Sequence, residues 1–170
     1  MAVYSEELTK RPSPLRLWLV PIAATLAGSA MALLPFVANT ALLPPFGLLM
    51  ALGWRLLRPE MWPAWMALPL GLADDLMSGA PLGSAAALWT IIFLAIDLAD
   101  TRPMWRDFWL DWMIAGAALL FGIVGAAAID RFTANGGPVL PAFSQILLAI
   151  LLFPPVARLC ARLDRWRLRR

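Results

Sequence analysis

The sequence predicts an all-α, polytopic membrane protein built as a bundle of six transmembrane helices. Three observations support this fold class: 61% of the 170 residues are hydrophobic, only 15% are charged, and the apolar residues occur in long blocks. An ordinary soluble domain is about half apolar and about a quarter charged. Since one soluble core of this size cannot hide so much apolar surface, we expect residues 1–170 to form a single integral membrane domain.

The first three apolar segments span residues 17–37, 42–57 and 61–78. The first ends without a small-x-small cleavage site, so we expect a retained span and not a removed signal peptide. The second and third lie near the lower length limit for a span, which is about 17 residues. A count of five spans is therefore the alternative to six.

The last three segments span residues 83–100, 108–130 and 138–157, and a basic tail follows over 158–170. The connections between segments are short and contain Gly, Pro and Asn, which favour tight turns. One such turn lies at 78–81, between the third and fourth segments. We therefore expect antiparallel neighbours in sequence order and a compact bundle.

The distribution of basic residues selects the even count and the orientation. With the N-terminus in the cytoplasm, six spans place every one of the 14 Lys and Arg residues except Arg131 on the cytoplasmic side. This agrees with the excess of Lys and Arg in cytoplasmic loops of membrane proteins. Five spans would leave one terminal basic cluster outside, so both termini are expected in the cytoplasm.

Most tryptophans fall near the same predicted interface, where an indole ring can bury its apolar body and donate its N–H to headgroups. We expect these residues to be lipid anchors. They are Trp18, Trp54, Trp62, Trp105, Trp109 and Trp166.

Several kinds of chemistry are excluded by composition. The chain has no histidine and a single cysteine, Cys160. His-based acid–base catalysis, His-ligated metals and an intramolecular disulfide are therefore excluded, and we expect neither a cofactor nor a metal site. Asp97 and Asp111 are expected to have a structural role, facing each other or pairing with Arg102 and Arg106.

Asp74 and Asp75 differ from the other carboxylates because they end the third segment with no Lys or Arg nearby in sequence. Successive helix residues point about 100° apart, so one carboxylate is expected toward headgroup water and the other toward the bundle interior. An intramembrane carboxylate is a functional candidate by default. Capping of the loop and contact with a ligand or partner both remain open. An enzymatic use of the pair is a weaker alternative, since consecutive residues cannot face each other.

Small residues at helical spacing predict close helix–helix contacts, because small side chains let backbones approach in lipid. The contacts are expected within the bundle more than between molecules. The patterns are Ala23-x-x-x-Ala27, Ala24-x-x-x-Gly28 and Ala118-x-x-x-Gly122-x-x-x-Ala126.

The C-terminal arginines Arg158, Arg162 and Arg165 recur at helical spacing. Directly after a span, such residues bind anionic lipid headgroups and fix topology, and we expect no nucleic acid as partner. We expect the last helix to continue along or out of the membrane surface.

The stretch Gly71 to Gly83, GLADDLMSGAPLG, resembles the signature of the rod shape-determining MreD family. The pattern is Gly-x-x-x-Asp-Leu-x-x-Gly-x-x-Leu-Gly, and this chain departs from it by carrying Asp74 beside Asp75. Spacing from Gly71 favours Asp75 as the residue that matters. The matching motif with its flanking residues comprises Gly71, Asp74, Asp75, Leu76, Gly79, Pro81, Leu82 and Gly83.

The resemblance implies a non-enzymatic component of the bacterial inner membrane that supports cell-wall synthesis and rod cell shape. It implies MreC as the direct partner, and RodA, its transpeptidase partner and MreB as indirect ones. It also implies a fold similar to the six-helix substrate-binding subunits of ECF vitamin transporters. The alternative function is therefore a substrate-binding subunit of a small-molecule transporter, with Asp74 or Asp75 contacting the solute.

Overall fold

A computed structural model describes residues 14–34, 43–99, 108–133 and 140–168 of the chain. The described residues form helices and no strands, which confirms the all-α prediction. The α-helices are α1 (Pro14–Ala30), α2 (Phe46–Leu57), α3 (Ala67–Ser78), α4 (Ser84–Ala99), α5 (Phe108–Thr133) and α6 (Leu140–Leu168). Short 3₁₀ turns lie at Met31–Leu33, Pro59–Met61 and Ala64–Met66.

Prolines precede the starts of α2 and α3. The second predicted segment starts at 42, but α2 begins at Phe46, directly after Pro45. The third predicted segment starts at 61, but α3 begins at Ala67, after a 3₁₀ turn that follows Pro63. A proline lacks the backbone N–H and pushes the residue before it out of the helical region, so each of these helices starts downstream of its proline.

The centre of the bundle is α2. Nine of its 12 residues are buried, including the aromatic Trp54 and the charged Arg55. The other five helices pack around it in the order α1, α3, α4, α5, α6, and α6 returns to α1. A helix that is apolar on nearly all sides needs such a central position. This segment is near the lower length limit for a membrane span, and its short length is therefore compatible with a central position in the bundle.

Successive helices alternate in direction, as the short connections predicted. At one end of the bundle Arg55 of α2 pairs with Asp97 of α4, and Arg58 pairs with Asp164 of α6. We call this the basic end. At the opposite end, which we call the motif end, Gln145 of α6 donates to the Leu43 carbonyl at 2.7 Å.

The outside of the bundle is apolar in the way a lipid-facing surface requires. Phe132 is 90% exposed, Leu98 76% and Met113 69%. By length and composition, two helical stretches can each cross a membrane: Phe108–Thr133 and Phe143–Leu168. The 12 residues of α2 or α3 rise only about 18 Å, against about 30 Å of hydrocarbon. A membrane helix bundle fits these features, while six full spans remain a prediction.

The tryptophans divide into two groups, which corrects the expectation that all of them anchor in lipid. Trp54 and Trp62 are fully buried in the core. Trp54 lies near the basic end of α2 itself, and Trp62 follows the 3₁₀ turn after α2. The neighbouring helices cover both side chains. Trp18, Trp109 and Trp166 are exposed and remain available to the interface, and Trp105 lies outside the described residues.

Candidate functional site

The motif forms the turn between α3 and α4, and the Asp75 carboxylate lies at its centre. Asp75 is 1% exposed. Its Oδ1 accepts from the Ser84 hydroxyl and the Ala85 N–H, both at 2.8 Å, and its Oδ2 accepts from the Gly83 N–H at 2.9 Å. The first N–H groups of a helix have no partner within the helix, and a carboxylate there also favours the helix dipole. Asp75 therefore caps α4 from the end of α3.

Two glycines give the turn its shape. Gly79 has φ +72° and Gly83 has φ +94°, in the left-handed region that favours glycine. The Gly79 N–H donates to the Asp75 carbonyl at 3.0 Å, which ends α3. Gly83 then presents its N–H to the Asp75 carboxylate. The two glycines thus let the chain fold back toward the Asp75 carboxylate at the end of α3.

Gly71 permits backbone contact between α3 and α4. A Cβ atom added to Gly71 would lie 2.6 Å from the Ala86 Cα and 2.7 Å from the Ala86 nitrogen. Real Cβ atoms essentially never approach backbone atoms so closely, so α3 and α4 touch here through their main chains.

Replacing Gly71 by alanine is expected to lower the free energy of unfolding by about 1 to 3 kcal/mol, the usual cost of overpacking. The clash is with backbone, which cannot move aside as a side chain can. Gly116→Ala is the matched control, because a Cβ there would meet nothing closer than 3.9 Å. Denaturant unfolding in detergent, followed by circular dichroism, measures both variants. Equal effects of the two substitutions would contradict the close contact.

The remaining motif residues face outward. The Pro81 carbonyl accepts from the Ser84 N–H at 3.0 Å and helps close the turn. Leu76 and Leu82 are 68% and 71% exposed. The polar and glycine positions of the motif thus build the turn, while its leucines form surface.

Asp74 is directed toward α1 and α2, whereas the sequence analysis expected one carboxylate of the pair to face headgroup water. It is half-buried, and its Oδ1 lies beside the Ser29 hydroxyl. The Ser29 hydroxyl oxygen and the Asp74 Oδ1 both occupy the space where a side chain at Gly47 would be. The 100° offset therefore directs the two carboxylates to different neighbours: Asp75 to α4, and Asp74 to α1 and α2. Ser29 and Gly47 were missed because nothing in sequence links them to the motif.

A cavity of about 230 Å³ lies beside these carboxylates at the motif end. Asp74, Ser84 and Asp130 line it together with the indole of Trp89 and the amide of Gln145. Within the described ranges, no group of three or more His, Cys, Asp or Glu residues is placed to hold a metal ion.

The basic end holds a charge cluster that the sequence interpretation missed, in which Asp164 and Arg167 are buried and the Arg58 side chain is 42% exposed. Asp164 Oδ1 accepts from Arg167 Nε at 2.7 Å, and Asp164 Oδ2 accepts from Arg58 Nη2 at 2.9 Å. The Arg167 side chain is 1% exposed, lies 5.3 Å from the Trp54 ring and donates to the Leu17 carbonyl. The cluster therefore ties α6 to α1 and α2.

Asp97 pairs with Arg55, a partner that the sequence analysis did not predict. Arg55 is buried on the central helix and also donates to the Pro59 carbonyl at 2.9 Å. Because α2 is surrounded by the other helices, its arginine reaches α4 without any sequence proximity. Arg102 and Arg106 lie outside the described residues.

The predicted packing residues separate by position. Gly28 is buried, and a Cβ there would lie 2.8 Å from the Phe46 carbonyl oxygen. Gly122 is buried against Leu48, where a Cβ would lie 2.8 Å from a side-chain methyl. Ala24 and Ala126 are half-buried and pack against the core. Ala23 and Ala27, in contrast, are exposed on the outer face of α1 and are not among the described residues that pack against the core.

The basic tail is the last part of one helix, since α6 continues to Leu168. Its arginines Arg158, Arg162 and Arg165 are exposed. Its inward side carries Asp164 and Arg167. The signal that could have revealed this inward face is Asp164 itself, an acidic residue among arginines and three residues before Arg167.

Three comparisons bear on identity. The sequence model of the family described as rod shape-determining protein MreD matches residues 14–163. No curated protein matches the chain. No solved structure matches it either, so the expected similarity to ECF transporter subunits remains a prediction.

Proposed function

The chain belongs to the rod shape-determining protein MreD family, and from this membership we propose that it is a non-enzymatic scaffold that binds MreC. In this proposal it crosses the bacterial inner membrane several times, with both termini in the cytoplasm. It supports peptidoglycan synthesis by the elongation machinery, and through MreC it acts on RodA, its transpeptidase partner and MreB. The observation that carries the proposal is the family match, which extends from the start of α1 into α6.

The distribution of charge supports the proposed orientation. Leu17 and Arg167 are in contact, so the two ends of the described chain lie together at the basic end. Arg131 lies at the opposite end of α5 and is exposed. An excess of arginine at one end of the bundle favours the cytoplasmic side for that end.

The outer face of α3 is the proposed contact surface for MreC. Leu68, Leu72 and Leu76 recur every four residues along it and are 54%, 41% and 68% exposed. We call these three residues the leucine stripe. The motif residues on the other side of the helix bond to the turn that leads to α4. That turn holds the leucine stripe in one fixed position. In lipid, a partner helix binds such a stripe through van der Waals packing.

Leu72→Ala combined with Leu76→Ala is expected to reduce the MreC recovered with this protein from membranes by about fivefold or more, since loss of an interface anchor costs about 1 kcal/mol or more. The cells are expected to round. Quantitative immunoblotting of the purified complex measures the first effect, and microscopy measures the second. The unfolding free energy should stay unchanged, because both side chains are exposed.

The matched control is Leu147→Ala combined with Leu151→Ala. These leucines are also four residues apart on one helix, and are 54% and 61% exposed. The control should retain MreC and rod shape. If both pairs lose MreC equally, or if neither does, the leucine stripe is not the contact surface.

The transporter alternative would place its solute in the motif-end cavity beside Asp74. A vitamin that raises the unfolding temperature of the purified protein, and does so less in Asp74→Ala, would favour this alternative over the scaffold.

A further inference from the structure

A second cavity lies at the basic end, between α2, α5 and α6. Its volume is about 520 Å³. Its walls are largely apolar and include Leu57 of α2, Phe108 of α5, and Phe153 and Ala161 of α6. We call it the basic-end groove. An apolar cavity between helices of this membrane protein suits an acyl chain, which would gain van der Waals contacts with the apolar side chains that line it.

Arg158 lines the groove and makes no hydrogen bond or ion pair with any residue that the structure describes. It differs in this from Arg55, Arg58 and Arg167, each of which is bonded to a carboxylate. Asp111 also lines the groove but takes part in an interaction of its own. The groove therefore combines apolar walls with one available guanidinium group.

We propose that the basic-end groove binds one anionic phospholipid, with an acyl chain along the apolar walls and the phosphate at Arg158. A guanidinium group matches a phosphate in both charge and geometry. Basic side chains at the membrane surface also attract anionic lipids. The proposal goes beyond that general attraction and beyond the scaffold function, because it specifies a site of defined stoichiometry and a residue that selects the headgroup.

The experiment uses the full-length protein purified in detergent and mixed with equal amounts of phosphatidylglycerol and phosphatidylethanolamine. Native mass spectrometry then counts the retained lipids. We expect one phosphatidylglycerol per protein, retained in preference to phosphatidylethanolamine. Arg158→Gln should lower this retention at least about fivefold below that of Arg165→Gln, the fold-change that corresponds to about 1 kcal/mol per basic residue near the surface.

Arg165→Gln is the matched control, because it removes the same charge from an exposed position on the same helix outside the groove. Ala161→Phe should displace the acyl chain and lower retention of both lipids, whereas Ala128→Phe, at an exposed position of α5, should not. Equal losses in Arg158→Gln and Arg165→Gln would mean surface attraction only and would overturn the proposal. Undiminished retention in Arg158→Gln would overturn it as well, since that exposed substitution leaves the fold intact.

Discussion

Asp164→Ala is expected to lower the free energy of unfolding by about 3 to 5 kcal/mol, the cost of leaving a buried charge without its partner. The Asp164 carboxylate holds Arg58 on one oxygen and Arg167 on the other. The Arg167 side chain is 1% exposed and lies between Trp54 and the start of α1, so the substitution leaves its charge buried without a carboxylate partner. Denaturant unfolding in detergent measures the loss. Hydrogen exchange of residues 161–168 should also increase, because the end of α6 loses its attachment.

The control for Asp164 is Asp130→Ala, which removes an exposed carboxylate and should change the free energy of unfolding by less than about 0.5 kcal/mol. Asp164→Leu combined with Arg167→Met should recover part of the loss, because well-packed apolar residues can replace a buried ion pair. An Asp164→Ala variant as stable as Asp130→Ala would show that the cluster contributes nothing to the fold.

Asp75→Ala is expected to destabilise the protein by about 3 kcal/mol, because it removes an N-cap and leaves buried N–H groups without an acceptor. The Gly83 and Ala85 N–H groups and the Ser84 hydroxyl all lose their partner. Asp75→Asn keeps one carbonyl oxygen in place and should cost about half as much. Because the turn positions the leucine stripe, Asp75→Ala should also reduce MreC recovery and round the cells.

Asp74→Ala tests which carboxylate the motif requires. Asp74 lies beside Ser29 and makes no contact with the start of α4 among those described. It should therefore destabilise less than Asp75→Ala, and rod shape should be better preserved. A larger effect of Asp74→Ala on stability and shape would reverse the assignment of Asp75 as the central motif residue.

The motif shows how far sequence reasoning reached at the site. The Gly71 spacing favoured Asp75 over its neighbour, and Asp75 is the buried carboxylate of the pair. The sequence also indicated a tight turn after α3, since glycine and proline there carry their conformational preference locally. The partners of Asp74 were beyond reach, because Ser29 and Gly47 come from two other helices.

The basic end shows the opposite case. Its arginines were assigned to the cytoplasmic side by number alone, which is a property of the sequence. Which arginine pairs with which carboxylate depends on how the helices pack. Asp97 pairs with Arg55 of α2, and Asp164 pairs with Arg58, the residue directly after α2. These partners lie far apart in sequence, so the sequence by itself does not predict that they are in contact.

The sequence by itself determined the helical class, the alternating order of helices, the side on which positive charge accumulates, and the turn at Gly79. All of these follow from local properties: apolar length, short connections, the number of Lys and Arg residues in each loop and the φ preference of glycine. The tertiary structure alone decided that α2 is the centre, that Trp54 and Trp62 belong to the core and that Arg167 is buried. Those features arise because packing brings together residues far apart in sequence, and the free energy of each depends on what surrounds it.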